Sequence, residues 1–210
     1  DEAREWLEEV TDKMYLAISR SNFQQEVFET YFDLIAFGTS CLQIEEDKDD
    51  IIRFSSRHVK ELYISEDSKG MVNCIYRRFK MSAKATVDKF GLEILSKKTQ
   101  DTFKKSQFED IDIVHVVKPR DMYNPRKQDK QNMPYTSIYF EYETGHIISE
   151  GGFREFPYVV PRYLKASNEL YGRSPGMNAL PDVKVLNKMV EVGMKAAQKQ
   201  VDPPLLVPDD

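Results

Sequence analysis

The apolar pattern of this chain changes period at Gly38, and that change governs what it can fold into. Before it, Ala3, Leu7, Val10, Met14 and Ala17 recur at alternating steps of four and three, with Trp6 and Ile18 beside them. Phe23, Val27, Tyr31, Leu34 and Ile35 continue the stripe. Apolar residues at that spacing share one side of an α-helix. Ser21-Asn22 marks either a bend or the cap of a second helix, and Gly38 supplies the left-handed position that ends it. One long helix or a helix pair is predicted over 3–37.

After Gly38 the apolar runs become short and β-rich: Cys41–Ile44, Ile51–Phe54, Leu62–Ile64 and Met71–Phe79. Polar turns separate them at Glu45–Asp50 and Glu66–Gly70, which predicts an antiparallel meander or small barrel. A short helix from Ser82 to Phe90 follows, with Ser82 as its N-cap and Gly91 after its end. A second, polar helix is expected near 96–106. Ile111–Val117 is a strand, and Pro119–Pro134 is an aperiodic loop of the length that usually carries function or mobility. Strands resume at Tyr135–Tyr142 and His146–Ser149, and Phe156–Tyr163 is extended. The fold class is therefore α+β.

The last element is the most strongly patterned. Ser174-Pro175 is an N-cap followed by Pro at the first helical position. Val183, Leu186, Val190, Gly193/Met194 and Ala197 form one stripe through about Gln200, and Pro203-Pro204 ends the helix. Pro181 predicts a kink or a restart, with Asp182 available to cap the restart. The chain opens without Met, already in a helical pattern, and stops at a run that reads as the opening of another element. It is therefore expected to be a piece of a longer protein.

Catalytic signatures are missing. His58, His115 and His146 are scattered, and neither Cys41 nor Cys74 has a partner His in a recognised pattern. No phosphate-binding glycine loop, zinc-protease motif or nucleophile elbow occurs. The acidic run Glu45–Asp50 lacks the Gly and distal Glu of a calcium loop, so it is expected to be a solvated hairpin tip. No metal site and no cofactor are expected. Two unpaired cysteines suit a reducing compartment, and no apolar run approaches the roughly 18–20 residues of a membrane-spanning helix. No membrane partner is expected.

Charge is more informative. The chain carries 30 basic and 35 acidic residues, a net −5, which argues against a protein that coats nucleic acid. Local basic features remain. Lys184, Lys188, Lys195 and Lys199 fall at steps of four, seven and four, within an arc of about 60° on the last helix. Glu191 lies in the same arc, able to pair with Lys188 or Lys195. The pattern fits an ordinary solvated face, and it also fits a row of point charges facing a phosphate backbone. The stretch Lys118–Lys130 is a second basic segment, either an exposed loop or a partner contact.

Several blocks together resemble a known family. Asp33-Leu34-Ile35-Ala36-Phe37-Gly38-Thr39-Ser40-Cys41-Leu42 comes first, then Asp67-Ser68-Lys69-Gly70, Arg77-Arg78 and Lys89-Phe90-Gly91. Pro161-Arg162-Tyr163 and Tyr171-Gly172-Arg173-Ser174-Pro175-Gly176 through Ala179-Leu180-Pro181-Asp182 complete the order. This is similar to the portal, or head-to-tail connector, proteins of short-tailed bacteriophages, over most of the chain and least over 95–155. The resemblance implies a wing over 1–173, divided into a helical part (1–37), an SH3-like barrel (38–80) and a mixed α/β part (81–173). A stem helix at 174–202 and the start of a clip at 203–210 would follow.

It further implies a homo-oligomeric ring, usually a dodecamer, at one vertex of the virion's capsid, assembled in the host cytoplasm. Double-stranded DNA would be packaged and ejected through that ring without sequence preference. The implied partners are the terminase motor, tail adaptor proteins, and scaffold and capsid proteins. No catalytic residue is implied. Ring packing needs two unlike surfaces on each subunit. The acidic first helix, with Glu5, Glu8 and Glu9, and the lysines Lys97, Lys98, Lys104 and Lys105 are the candidates. The competing reading is an adaptor or scaffold-binding module that touches only protein, and an enzyme stands behind both.

Overall fold

The computed structural model describes residues 2–48, 50–127 and 129–202. Helices α1 (Glu2–Arg20) and α2 (Phe23–Phe37) form a pair. Ser21 makes the break: its hydroxyl donates to the Ile18 carbonyl at 2.7 Å and accepts the Phe23 N–H at 3.2 Å. Asn22 has no capping bond and instead faces a strand. Its Nδ2 donates to the Phe54 carbonyl at 2.8 Å, and its Oδ1 accepts the Phe54 N–H at 3.0 Å. Gly38 ends α2 as expected, at φ 77°, with its N–H on the Leu34 carbonyl at 2.9 Å.

All strand pairing is antiparallel. Strands β1 (Leu42–Asp47), β2 (Ile51–Ser56) and β8 (Tyr158–Val159) form one sheet in the order β2-β1-β8. Strands β3 (Leu62–Glu66), β4 (Val72–Ser82), β5 (Asp110–Pro119), β6 (Tyr135–Glu141) and β7 (Ile147–Phe153) form a five-stranded meander. The strands of 38–80 are thus shared between two sheets, each completed by strands from much later in the chain. β2 is an edge strand, and part of its outward edge is taken up by Asn22 and by α2. Besides Asn22 on Phe54, Glu26 accepts the Ser56 N–H at 2.6 Å, so the edge is covered by side chains instead of a strand.

One boundary differs from expectation. β1 runs on through Asp47, into the acidic run read as a turn. Cross-strand charge explains this: Arg53 on β2 lies opposite Glu45 and 3.8 Å from Asp47.

The first core lies between the sheets. Cys41, Leu62, Ile64, Ile75, Val117 and Tyr158 are buried together there. A second cluster, Phe79, Leu95, Ile113 and Ile148, packs with Val87 and Phe90 of helix α3 (Ala83–Phe90). Helix α4 (Lys97–Lys105) follows α3. α3 starts at its predicted cap, where Ser82 Oγ accepts Ala85 N–H, and α4 starts likewise at Ser96, whose Oγ accepts Thr99 N–H, each at 3.3 Å. Glu141 supports the second start, accepting the Ser96 N–H at 2.9 Å and the Ser96 hydroxyl. Its burial raises the carboxyl pKa, but the bonds from Ser96 and Thr144 outweigh that and leave it below the ordinary value.

Helix α5 (Pro175–Val201) is a single helix that continues through Pro181. The restart expected at Asp182 does not occur. Proline removes one N–H, so the Met177 carbonyl has no i+4 donor. Met177 is exposed, and water can satisfy that carbonyl. The expected clip segment, 203–210, lies outside the described residues.

Candidate nucleic-acid interface on the terminal helix

Helix α5 leaves the β body from a joint built by blocks that carry the resemblance. Thr39 Oγ1 accepts the Gly172 N–H at 2.7 Å, a contact between residues 133 positions apart. The Gly38 carbonyl accepts the Tyr163 N–H at 2.9 Å. Ser174 does two jobs: its hydroxyl accepts the Met177 N–H as N-cap and donates to the Ala36 carbonyl, both at 2.8 Å. Glycine is required where the backbones cross. A Cβ on Gly172 would sit 2.2 Å from the Gly38 carbonyl oxygen, and one on Gly38 would sit 2.5 Å from the Gly172 carbonyl oxygen. Gly38 therefore ends one helix and admits the root of another.

Around the joint the chain is braced to the sheets. The Tyr171 hydroxyl donates to the Leu62 carbonyl at 3.1 Å and accepts the Ile64 N–H at 3.3 Å. Glu66 holds both Arg162 and Lys165, the latter at 2.6 Å. Arg162 also donates to the Gly70 carbonyl at 2.9 Å. These contacts set the direction in which α5 departs.

Beyond its first turns α5 has no buried residue. Lys184, Lys188, Lys195 and Lys199 are all exposed and share one arc. Glu191 pairs with both central lysines, at 2.9 Å to Lys188 and 2.5 Å to Lys195. Its carboxyl is held below the ordinary range by those two bonds, Lys195 contributing more. Among the described residues no carboxylate pairs with Lys184 or Lys199.

The structure adds a face that sequence reasoning missed. Besides the predicted stripe of Val183, Leu186, Val190 and Met194, a second exposed apolar set, Val185, Met189 and Val192, flanks the lysines on the other side. At about 100° per residue the two sets together span roughly 200° of the helix. A scan for one stripe overlooks this, because its members sit one or two positions from the first set. Testing for a second arc at the same period would have found it.

The other predicted residues are placed separately. In α1, Glu8 pairs with Arg4 at 3.0 Å and Glu9 with Lys13 at 2.6 Å, while Glu5 is exposed. In α4, Lys98 pairs with Glu143 and Lys104 lies 3.9 Å from Asp101, while Lys97 and Lys105 are exposed. In the basic loop, Arg120 turns inward to Glu150 at 3.3 Å and Thr136 at 3.1 Å.

The scattered histidines do not converge. His115 is buried between the sheets, with Nε2 2.9 Å from Ser137 Oγ and Nδ1 3.1 Å from the Tyr158 hydroxyl. Its ring stacks on Tyr139 with centroids 3.9 Å apart. Burial first, then nearby Lys89, Arg77 and Arg57, lowers its pKa to about 3, so it is neutral. At 1% exposure this Ser–His pair is closed to substrate, and its contacts join β5 and β6 to β8 across the core. Burial likewise raises the Cys41 thiol to about 12, against the opposing charges of Arg57 and Arg77. Among the described residues no group of three or more His, Cys, Asp or Glu could hold a metal ion, and no helix is long and apolar enough to cross a membrane.

Comparison with known proteins agrees with the motif blocks. The family described as "Bacteriophage head to tail connecting protein" matches residues 1–210. The "Probable portal protein" of Bordetella phage BPP-1 is 32% identical over 206 residues, covering 97% of this chain and 37% of that protein. The "Portal protein" of Salmonella phage epsilon15 is 30% identical over 207 residues, again covering 97% of this chain and 37% of that protein. The chain therefore spans a little over a third of these relatives. With the match running from first residue to last, and the joint at Gly38 and Gly172 built from the blocks that carry the likeness, the chain belongs to the bacteriophage head-to-tail connecting protein family.

Proposed function

We propose that this chain is the wing and first stem helix of a portal subunit, part of a ring at the capsid vertex of the virion. Double-stranded DNA enters and leaves through the ring, which joins head to tail and has no turnover of its own. Residues 1–173 are the wing and 174–202 the stem, and the proposed clip at 203–210 lies outside the described residues. The partners are about eleven further copies, DNA bound through its phosphates, the terminase motor, tail adaptors, and scaffold and capsid proteins.

The observation that carries this reading is α5: a solvent-exposed helix with a row of lysines between two apolar faces. A helix apolar on two unlike flanks suits head-to-tail contact with a neighbour on each side. Packing both flanks leaves the lysine row facing the axis, where phosphate contact needs charge and no base reading. The assembled full-length protein tests this directly. A ring with Lys184, Lys188, Lys195 and Lys199 lining the passage is the expected result. A stable monomer would favour the adaptor reading, and a ring with the lysines turned outward would refute the DNA contact.

A further inference from the structure

On the reading that the lysine row of α5 meets DNA, we infer that Glu191 is an internal competitor for phosphate that keeps this row from gripping the duplex. Its two carboxylate oxygens take one lysine each, Oε2 on Lys188 and Oε1 on Lys195. The two bonds run three residues back and four residues forward, so a single carboxylate at the middle of the row ties up both central cations. The outer pair, Lys184 and Lys199, has no such partner among the described residues. The row thus presents two free ammonium groups at its ends and two already satisfied ones between them.

All three members of the bridge are well exposed, at 68% for Lys188, 63% for Lys195 and 46% for Glu191. Exposed pairs of this kind are weak. A passing phosphate can therefore displace Glu191 from either lysine, and Glu191 recaptures it when the phosphate moves on. Each exchange replaces one anion by another at the same ammonium, so the row offers no deep well at any one register. Weak, renewable contact suits a surface along which DNA must travel.

Duplex binding by the assembled full-length protein tests this. Fluorescence anisotropy with a labelled 30-base-pair duplex, from about 50 to 200 mM NaCl, compares wild type with Glu191→Gln and with the fourfold lysine-to-glutamine variant. Glutamine keeps size and helix propensity but removes the negative charge and one of the two acceptor oxygens that hold the lysines. Glu191→Gln should bind more tightly and show a steeper salt dependence. Every further phosphate neutralised by a released lysine adds about a threefold loss of affinity over that salt range. Glu191→Asp, too short to bridge both lysines, should fall between the two.

If Glu191→Gln binds like wild type while the fourfold variant binds less, the lysine row is a DNA contact and the role given to Glu191 is wrong. If neither variant changes binding, the DNA-facing reading itself fails. Ring assembly by native mass spectrometry and melting temperature, both expected to be unchanged in Glu191→Gln, exclude a merely structural effect.

Discussion

Strand β5 and helix α5 are opposites in burial. β5 has an unbroken buried stretch from Ile113 through Val117, in a sheet that packs against a second sheet and helix α3. α5 buries no residue over its 27 positions and exposes Leu186, Met189 and Met194 by 60% or more. Helices α1 and α2 side with α5: Trp6, Tyr15, Phe28 and Phe32 are each more than 60% exposed. The β body encloses buried cores of its own, whereas α1 and α5 bury no residue. Exposed apolar area on this scale marks surfaces made to be covered. The division separates what the chain does for itself from what it does with others.

The buried side of that comparison can be broken with acid. Folding holds His115 neutral down to about 3, whereas an unfolded chain takes up that proton near 6.5. The unfolded state binds more protons through this window, so stability falls as pH drops from 6.5 toward 3, by on the order of 5 kcal/mol from this group. His115→Gln should lack that component. Urea titrations across pH would show the two curves converging as pH falls, and parallel curves would contradict the assignment.

Truncation at matched sites sharpens the contrast. Ile113→Ala removes a fully buried side chain and should cost about 2–5 kcal/mol in the single chain. Leu186→Ala, at 60% exposure, should change the same measurement by less than about 0.5 kcal/mol. In the assembled ring the second substitution should become costly, which subunit-exchange or dissociation experiments would register. Equal effects in both states would mean that α5 is not covered by a neighbour.

A more modest effect than that of Ile113→Ala lies where the two regions meet. Ser174→Ala deletes the cap of α5 and the bond to the Ala36 carbonyl, with an expected cost of about 0.5–2 kcal/mol. The β body should keep its folded signature while α5 loses helicity at its root. Near-ultraviolet and far-ultraviolet circular dichroism separate the two, and a joint loss of both would show that the regions fold as one.

Much of this architecture is written in local pattern. The period of apolar residues placed the helices and most strands, and Ser82, Ser174 and Gly38 cap the ends they were expected to cap. Such features depend on a few consecutive dihedrals and on bonds within one turn, so neighbouring residues suffice to reveal them. The lysine arc of α5 and its pairing with Glu191 were legible for the same reason, since helical geometry fixes which residues are neighbours.

Other features depended on chain segments far apart in sequence. No periodicity announces that Gly172 must touch Gly38, that Asn22 serves a strand instead of its helix, or that β1 takes β8 as its second neighbour. The second apolar flank of α5 acquired meaning only when the fold left it uncovered. Sequence by itself determined the elements, their caps and the charge row of the terminal helix. Tertiary structure alone decided which strands share a sheet, which glycines let two backbones cross, and which apolar faces remain open. The physical reason is that burial and long-range pairing are properties of where the chain returns to itself.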